Sequence, residues 1–189
     1  MKALVAYMSK TGNTRRVAEA IHGELECDKE IKHMDSVEGL GAYDLAFLGF
    51  PMHQYGPDKK TREFLERSCT KGKKVALFVT HAAPEDHQEL PEWLAKFSQA
   101  AAGGDIVGFF NCQGELAKGV KLIMTVAPSK KLRSMAKMDN SKGQPDAARL
   151  DRARAFARNT KLRLERKSAD VSGDVSDVVS EGASVASAS

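Results

Sequence analysis

The side chains best suited to chemistry are gathered in one short stretch, Ser9-Lys10-Thr11-Gly12-Asn13-Thr14. Ser9, Thr11 and Thr14 can donate hydroxyl hydrogens, Asn13 can donate through its amide, and Gly12 lets the backbone turn tightly. The stretch follows an apolar run, Ala3 to Met8, and precedes a helical pattern beginning near Thr14. A helix N-terminus presents unpaired N–H groups and a partial positive charge, so the chemistry expected here is phosphate binding. The stretch is neither G-x-x-x-x-G-K-[ST] nor G-x-G-x-x-G, and it lacks the extra glycines that wrap a pyrophosphate. A monoester phosphate fits it. The competing reading is a hydroxyl-rich turn that merely caps a helix.

Other reactive side chains group less tightly. His81 and His87 lie near Glu85, Asp86 and Glu89, but their spacing matches no standard metal motif, so no metal is expected. Cys27, Cys69 and Cys112 are scattered without a C-x-x-C pair. That pattern argues against a disulfide framework and for a reduced, cytoplasmic setting. Cys112 reads as a buried structural thiol. No residue is singled out as catalytic.

The elements that must position the loop follow from periodicity. Short apolar runs at 3–8, 44–50, 73–80 and 105–112, with a weaker one at 30–34, read as strands. Between them, Val17, Ile21 and Leu25, then Phe64 and Leu65 behind a capping Asp58, then Leu90, Trp93, Leu94, Phe97 and Ala101 read as helices. Gly103-Gly104 is placed to close the third helix. Alternating strands and helices imply a doubly wound α/β domain with a parallel sheet and helices on both faces. The arrangement expected is a five-stranded sheet in the order 2-1-3-4-5, in three α/β/α layers. The loop after strand one then lies at the switch point of strand order, where ligands bind. The loop after strand three, Pro51 to Pro57, faces the same crevice.

On these residues the chain resembles the flavodoxin family. Ser9 to Thr14 looks like that family's FMN-phosphate motif, and Tyr43-Asp44-Leu45-Ala46-Phe47-Leu48-Gly49-Phe50-Pro51 looks like its third strand. The resemblance covers about residues 1–112 and the closing helix after Pro145. The segment Met138 to Asp146, running into Leu150 to Arg154, resembles the ends of short members of the family. The resemblance implies an FMN cofactor, with the flavin ring between Pro51-Met52-His53-Gln54-Tyr55-Gly56 and a second loop opening Thr80-His81-Ala82. It makes Tyr55 the stacking candidate, with Met52 and His53 behind it. It gives Gly56 the carbonyl that reorients toward the flavin. The second loop departs from the family, having no tyrosine. That face of the flavin is then either more open or covered by His81.

The remaining features concern organisation and partners. The composition, 42% hydrophobic and 29% charged, is that of a soluble globular protein, and no apolar run is long enough to span a membrane. Residues 1–166 are expected to form the FMN-binding domain, with 113–145 inserted before the last helix, and 167–189 to form a disordered tail rich in Ser, Ala and Asp. The net charge of +4 conceals a basic segment: Lys118 to Lys167 holds 15 Lys or Arg against 4 Asp or Glu. The insertion is read as a lid, a basic docking surface for a redox partner protein with an acidic surface, a point of peripheral membrane contact, or simply a helical elaboration packed on the sheet edge. It lacks the interleaved aromatics of a nucleic-acid binder. The leading function is a redox flavoprotein that carries electrons between a reductase and an acceptor. The alternatives are an FMN-dependent reductase or oxidase of a small-molecule acceptor, such as a quinone or tetrapyrrole, and a non-redox module of the same fold.

Overall fold

The apolar runs form β1 (Lys2–Tyr7), β2 (Asp28–His33), β3 (Leu45–Pro51), β4 (Lys74–His81) and β5 (Asp105–Gln113). The computed structural model describes residues 1–181. All strand pairs are parallel, and the order is β2-β1-β3-β4-β5, as expected. The helices are α1 (Asn13–Glu24), α2 (Lys59–Ser68), α3 (Leu90–Ala100), α4 (Lys118–Val126), α5 (Lys130–Met138) and α6 (Ala147–Glu181).

Helices cover both faces of the sheet, which is why its central strands are continuous apolar runs rather than alternating ones. On one face Leu4, Leu48, Phe50 and Leu77 pack with Phe64 and Leu65 of α2 and Phe97 of α3. On the other, Val5, Phe47 and Phe78 pack with Val17 and Ile21 of α1 and with Ala153 and Ala157 of α6. β2 is an edge strand, and only half-buried. Its Glu30 is gripped by Lys2, Lys32 and the Tyr43 hydroxyl, which hold its carboxyl down to about 2.

Two local expectations resolve differently. Asp58 does cap α2, accepting the Thr61 amide at 2.8 Å. Gly103 and Gly104, however, do not end α3 by a left-handed turn, since neither has positive φ. A Cβ at Gly103 would overlap the Cys69 carbonyl, so close packing of the α3–β5 connection on the end of α2 requires small residues there. The final helix extends to Glu181, past the Arg166 end expected. Residues 182–189 of the expected tail lie outside the described residues.

The fold positions the site through strand order. From β1 the chain moves outward to β2, and from β3 it moves the opposite way to β4 and β5. The loops leaving β1 and β3 therefore diverge, opening a crevice above the carboxyl ends of two neighbouring strands. Gly49 keeps β3 and β4 in register at that end. A Cβ there would overlap the Phe78 ring, which lies across the glycine.

Candidate functional site

The Ser9–Thr14 loop joins β1 directly to α1. Gly12 is the N-cap of α1, with φ 91° and ψ −13°, a conformation open to glycine and costly to residues with a side chain. No side chain caps the helix, and its first turn carries no acidic residue. The Ser9 hydroxyl turns inward to accept the Gly12 amide at 3.1 Å. The first amides of α1, Asn13 to Arg15, have no partner within the helix. The charged residues from Lys10 to Arg16 are all basic: Lys10, Arg15 and Arg16. An uncapped, positively surrounded helix start with a left-handed glycine fits a dianionic phosphate, so the residues present suit the phosphate end of FMN.

Two members of the loop are held by other parts of the molecule. Thr14 is buried, and its hydroxyl pairs with the Thr80 hydroxyl at 2.8 Å, tying the start of α1 to the end of β4. Two hydroxyls sharing one bond leave one hydrogen for a further acceptor. Asn13 donates its side-chain amide to the Glu115 carbonyl at 2.8 Å and lies against Gly114, where a Cβ would come within 2.9 Å of it. Asn13 thus anchors the chain beyond β5. Lys10 and Thr11 are exposed.

The second loop leaves β3 at Pro51. The Met52 amide donates to the Thr80 carbonyl at 2.8 Å, continuing the sheet one step. His53 and Gly56 then exchange two backbone bonds, at 2.9 and 3.1 Å, around Gln54 and Tyr55. Both central residues have positive φ, 43° and 73°. This is the backbone of a type I′ turn, which normally takes Asn-Gly, and each side chain held there costs about 1–3 kcal/mol. The tight turn displays Tyr55, 52% exposed, at the mouth of the crevice. The Gly56 carbonyl, given a flavin-sensing role by resemblance, accepts the His53 amide in this structure. The His53 ring lies 3.9 Å from the Asp58 carboxylate, beyond hydrogen-bonding distance.

Sequence reasoning missed what supports Tyr55. Its ring centroid lies 4.5 Å from that of Trp93 on α3, and Trp93 also meets His87 at 4.7 Å. Lys96 donates to the Tyr55 carbonyl at 3.3 Å. Trp93 reads in the sequence as one more apolar position of an amphipathic helix, and only the packing of α3 beside the β3 loop shows its neighbour.

The third loop is firmly fastened. His81 is buried; Nδ1 meets the Ala83 carbonyl oxygen at 2.9 Å and Nε2 meets the Asn111 Oδ1 oxygen at 3.0 Å. Burial pushes its imidazole pKa down, against the raising effect of those two bonds. Both ring nitrogens are thus engaged by oxygens of the protein, so His81 works as a brace rather than as a ring free to cover a ligand. The Ala82 carbonyl accepts from Gln113 at 3.1 Å. Glu85 accepts the Gln113 amide and bridges to Arg149 and Arg152 of α6. Burial opposes ionisation of Glu85, yet Arg152, the Gln113 amide and Arg149 together hold its carboxyl below its ordinary range. Cys112 is fully buried, and burial pushes its thiol up to about 12, which leaves it inert as a nucleophile.

The structure therefore brings Ser9–Thr14, Pro51–Gly56 and Thr80–Ala82 to the carboxyl ends of β1, β3 and β4, around one crevice. A 2-1-3-4-5 parallel sheet with an uncapped helix start at its switch point defines the class, a doubly wound α/β protein. Comparison with known families makes this specific: the flavodoxin domain matches residues 4–158, and the chain belongs to that family. The flavodoxin-like domain-containing protein BilS of Clostridioides difficile (strain CD3) is 30% identical over 174 residues, covering 86% of this chain and 98% of that protein. Among solved structures, oxidised flavodoxin 2 from Bacillus cereus aligns with TM-score 0.59 at 21% identity, and the Streptococcus pneumonia TIGR4 flavodoxin with 0.58 at 15%. Each covers 86% of this chain and is itself covered to 99%. These two likenesses establish the fold, and family membership makes FMN the cofactor. None of the described helices is long and apolar enough to cross a membrane.

Proposed function

We propose that the Ser9–Thr14 loop holds the FMN phosphate, that the flavin ring lies between the Pro51–Gly56 turn and the Thr80–Ala82 segment, and that the protein passes electrons to a partner protein. The uncapped start of α1 at the left-handed Gly12 carries this reading. Bound FMN supplies the redox chemistry; the chain supplies binding, orientation and electrostatics. The loop and helix amides neutralise the phosphate. The Tyr55 ring, backed by Trp93, offers an aromatic surface to one side of a planar ligand. Ala82 and Ala83 would lie on the other side, and their small side chains would leave the ring accessible.

Trp93 is the only tryptophan in the sequence and touches Tyr55, so it reports directly on the site. Titration of flavin-free protein with FMN is expected to quench tryptophan emission and flavin emission together, with one stoichiometric end point. Riboflavin, which lacks the phosphate, is expected to bind at least about tenfold more weakly, because it forfeits the charge-assisted bonds to the loop. Equal affinity for the two would remove the phosphate loop from the site.

A further inference from the structure

The insertion after β5 forms a helical hairpin, α4 and α5, whose helices pack on each other. α4 has no buried residue, and α5 has only Ala136. Large apolar side chains are instead turned outward: Leu122, Ile123, Val126 and Met138 are 66%, 68%, 72% and 78% exposed. Around them stand seven basic residues from Lys118 to Lys142, with Asp139 the one acid, so the hairpin carries more than the whole net charge of +4. Asp139 is spent locally, paired with Lys121 at 2.6 Å.

Both feet of the hairpin are stapled beside the cofactor loops. Glu115 accepts from Asn13 of the phosphate loop and, through its own amide, donates to the Gln144 carbonyl. Gln113 ties Ala82 of the third loop to Asn140. Anything seated on the hairpin is thereby held next to the crevice. An apolar patch ringed by one sign of charge marks an interaction surface, and the charge selects the partner. A second copy of this hairpin would bring like charges together. A membrane surface is less suited, because no Trp, Phe or Tyr occurs from 118 to 142 to seat the helices at the headgroups. Exposed methionines, by contrast, adapt to protein surfaces.

We propose that the α4–α5 hairpin is the docking surface for a redox protein that presents an acidic rim around its own redox centre. This rests on the electron-transfer reading above. The test uses FMN-loaded protein reduced with dithionite, freed of excess reductant, and mixed with oxidised cytochrome b5, an acidic haem protein, or with cytochrome c, a basic one. Each reduced flavin gives up two electrons, one to each of two ferric haems. At ionic strength below about 50 mM, cytochrome b5 is expected to be reduced faster than in 300 mM salt, and cytochrome c slower.

Lys130→Glu/Lys131→Glu is expected to slow the cytochrome b5 reaction at low salt about tenfold. Acidic residues suit the first turn of α5, so the hairpin stays folded. Lys71→Glu/Lys74→Glu makes the same charge change at the opposite end of the sheet, and is expected to alter the rate less than about twofold. Equal slowing by both variants, or slowing by neither, would overturn the proposal. So would binding to phosphatidylserine vesicles that Lys130→Glu/Lys131→Glu abolishes while leaving the cytochrome rates unchanged. A protein that fails to take up FMN shows this in its absorbance before mixing; that result strikes the cofactor reading rather than the hairpin.

Discussion

Replacing Gly12 with alanine isolates a backbone preference, because a Cβ at this position meets no atom within 4 Å. At φ 91° the added methyl carries the left-handed penalty, about 1–2 kcal/mol. Where the cost appears depends on the loop's own bonds, the Gly12 amide on Ser9 and the Arg16 amide on the Gly12 carbonyl. If they hold the loop in place, the flavin-free protein is destabilised by the full amount. If the loop relaxes, the cost returns on binding, and FMN affinity falls about 5- to 30-fold. Two bonds worth about 1 kcal/mol each nearly balance the penalty, so it is expected to divide between the two. The invariant is the sum of the loss in flavin-free stability, from urea unfolding, and the loss in FMN binding free energy, from fluorescence titration. Gly12→Asn, which tolerates the left-handed region, is expected to recover at least half of the loss. A sum below about 0.5 kcal/mol for alanine, the size of an ordinary surface change, would refute the reasoning. Asparagine as damaging as alanine would do the same.

Thr14→Val leaves the buried Thr80 hydroxyl without its partner and is expected to cost about 1–3 kcal/mol in chemical unfolding, whereas Thr14→Val/Thr80→Val recovers much of that; additive losses would show that the pair is not coupled. Gln54→Asn/Tyr55→Gly places preferred residues in the left-handed turn. It is expected to stabilise the flavin-free protein by about 1 kcal/mol while weakening FMN binding, a trade that calorimetry and titration together read out. His81, held below its ordinary pKa of 6.5 chiefly by burial, binds fewer protons in the folded than in the unfolded state. Its contribution to stability is therefore full above pH 6.5 and is lost as the pH falls through that value toward the lower folded pKa. His22, lowered by burial and by Lys29, acts in the same direction. An NMR titration of the His81 ring checks this, and a midpoint at or above 6.5 would contradict it.

The strands, the helices that alternate with them and the hydroxyl-rich turn between β1 and α1 were legible in the sequence because they rest on local signals. A buried parallel strand is a short apolar run, a helix repeats its apolar residues every three or four positions, and a hydroxyl-rich turn with one glycine marks where they join. Asp58 was readable as a cap for the same reason. Other features depended on packing between segments far apart in the chain. Gly103 owes its small size to the Cys69 carbonyl, and Gly49 owes its own to the Phe78 ring, neither of which a local pattern reveals. Trp93 fits a helical apolar stripe equally well whether it lies in the core or beside Tyr55. His81, open in the sequence to a role over the ligand, is committed to Ala83 and Asn111.

The sequence by itself determined the α/β alternation, the hydroxyl-rich turn with its one glycine and the basic character of the insertion, since composition and period need no partner to be expressed. Tertiary structure decided which side chains share the crevice. Sheet order and register joined Thr14 to Thr80 and Asn13 to Glu115, and set Tyr55 on Trp93. It also turned the apolar side chains of the hairpin outward, because α4 and α5 pack on each other and leave Leu122, Ile123, Val126 and Met138 uncovered.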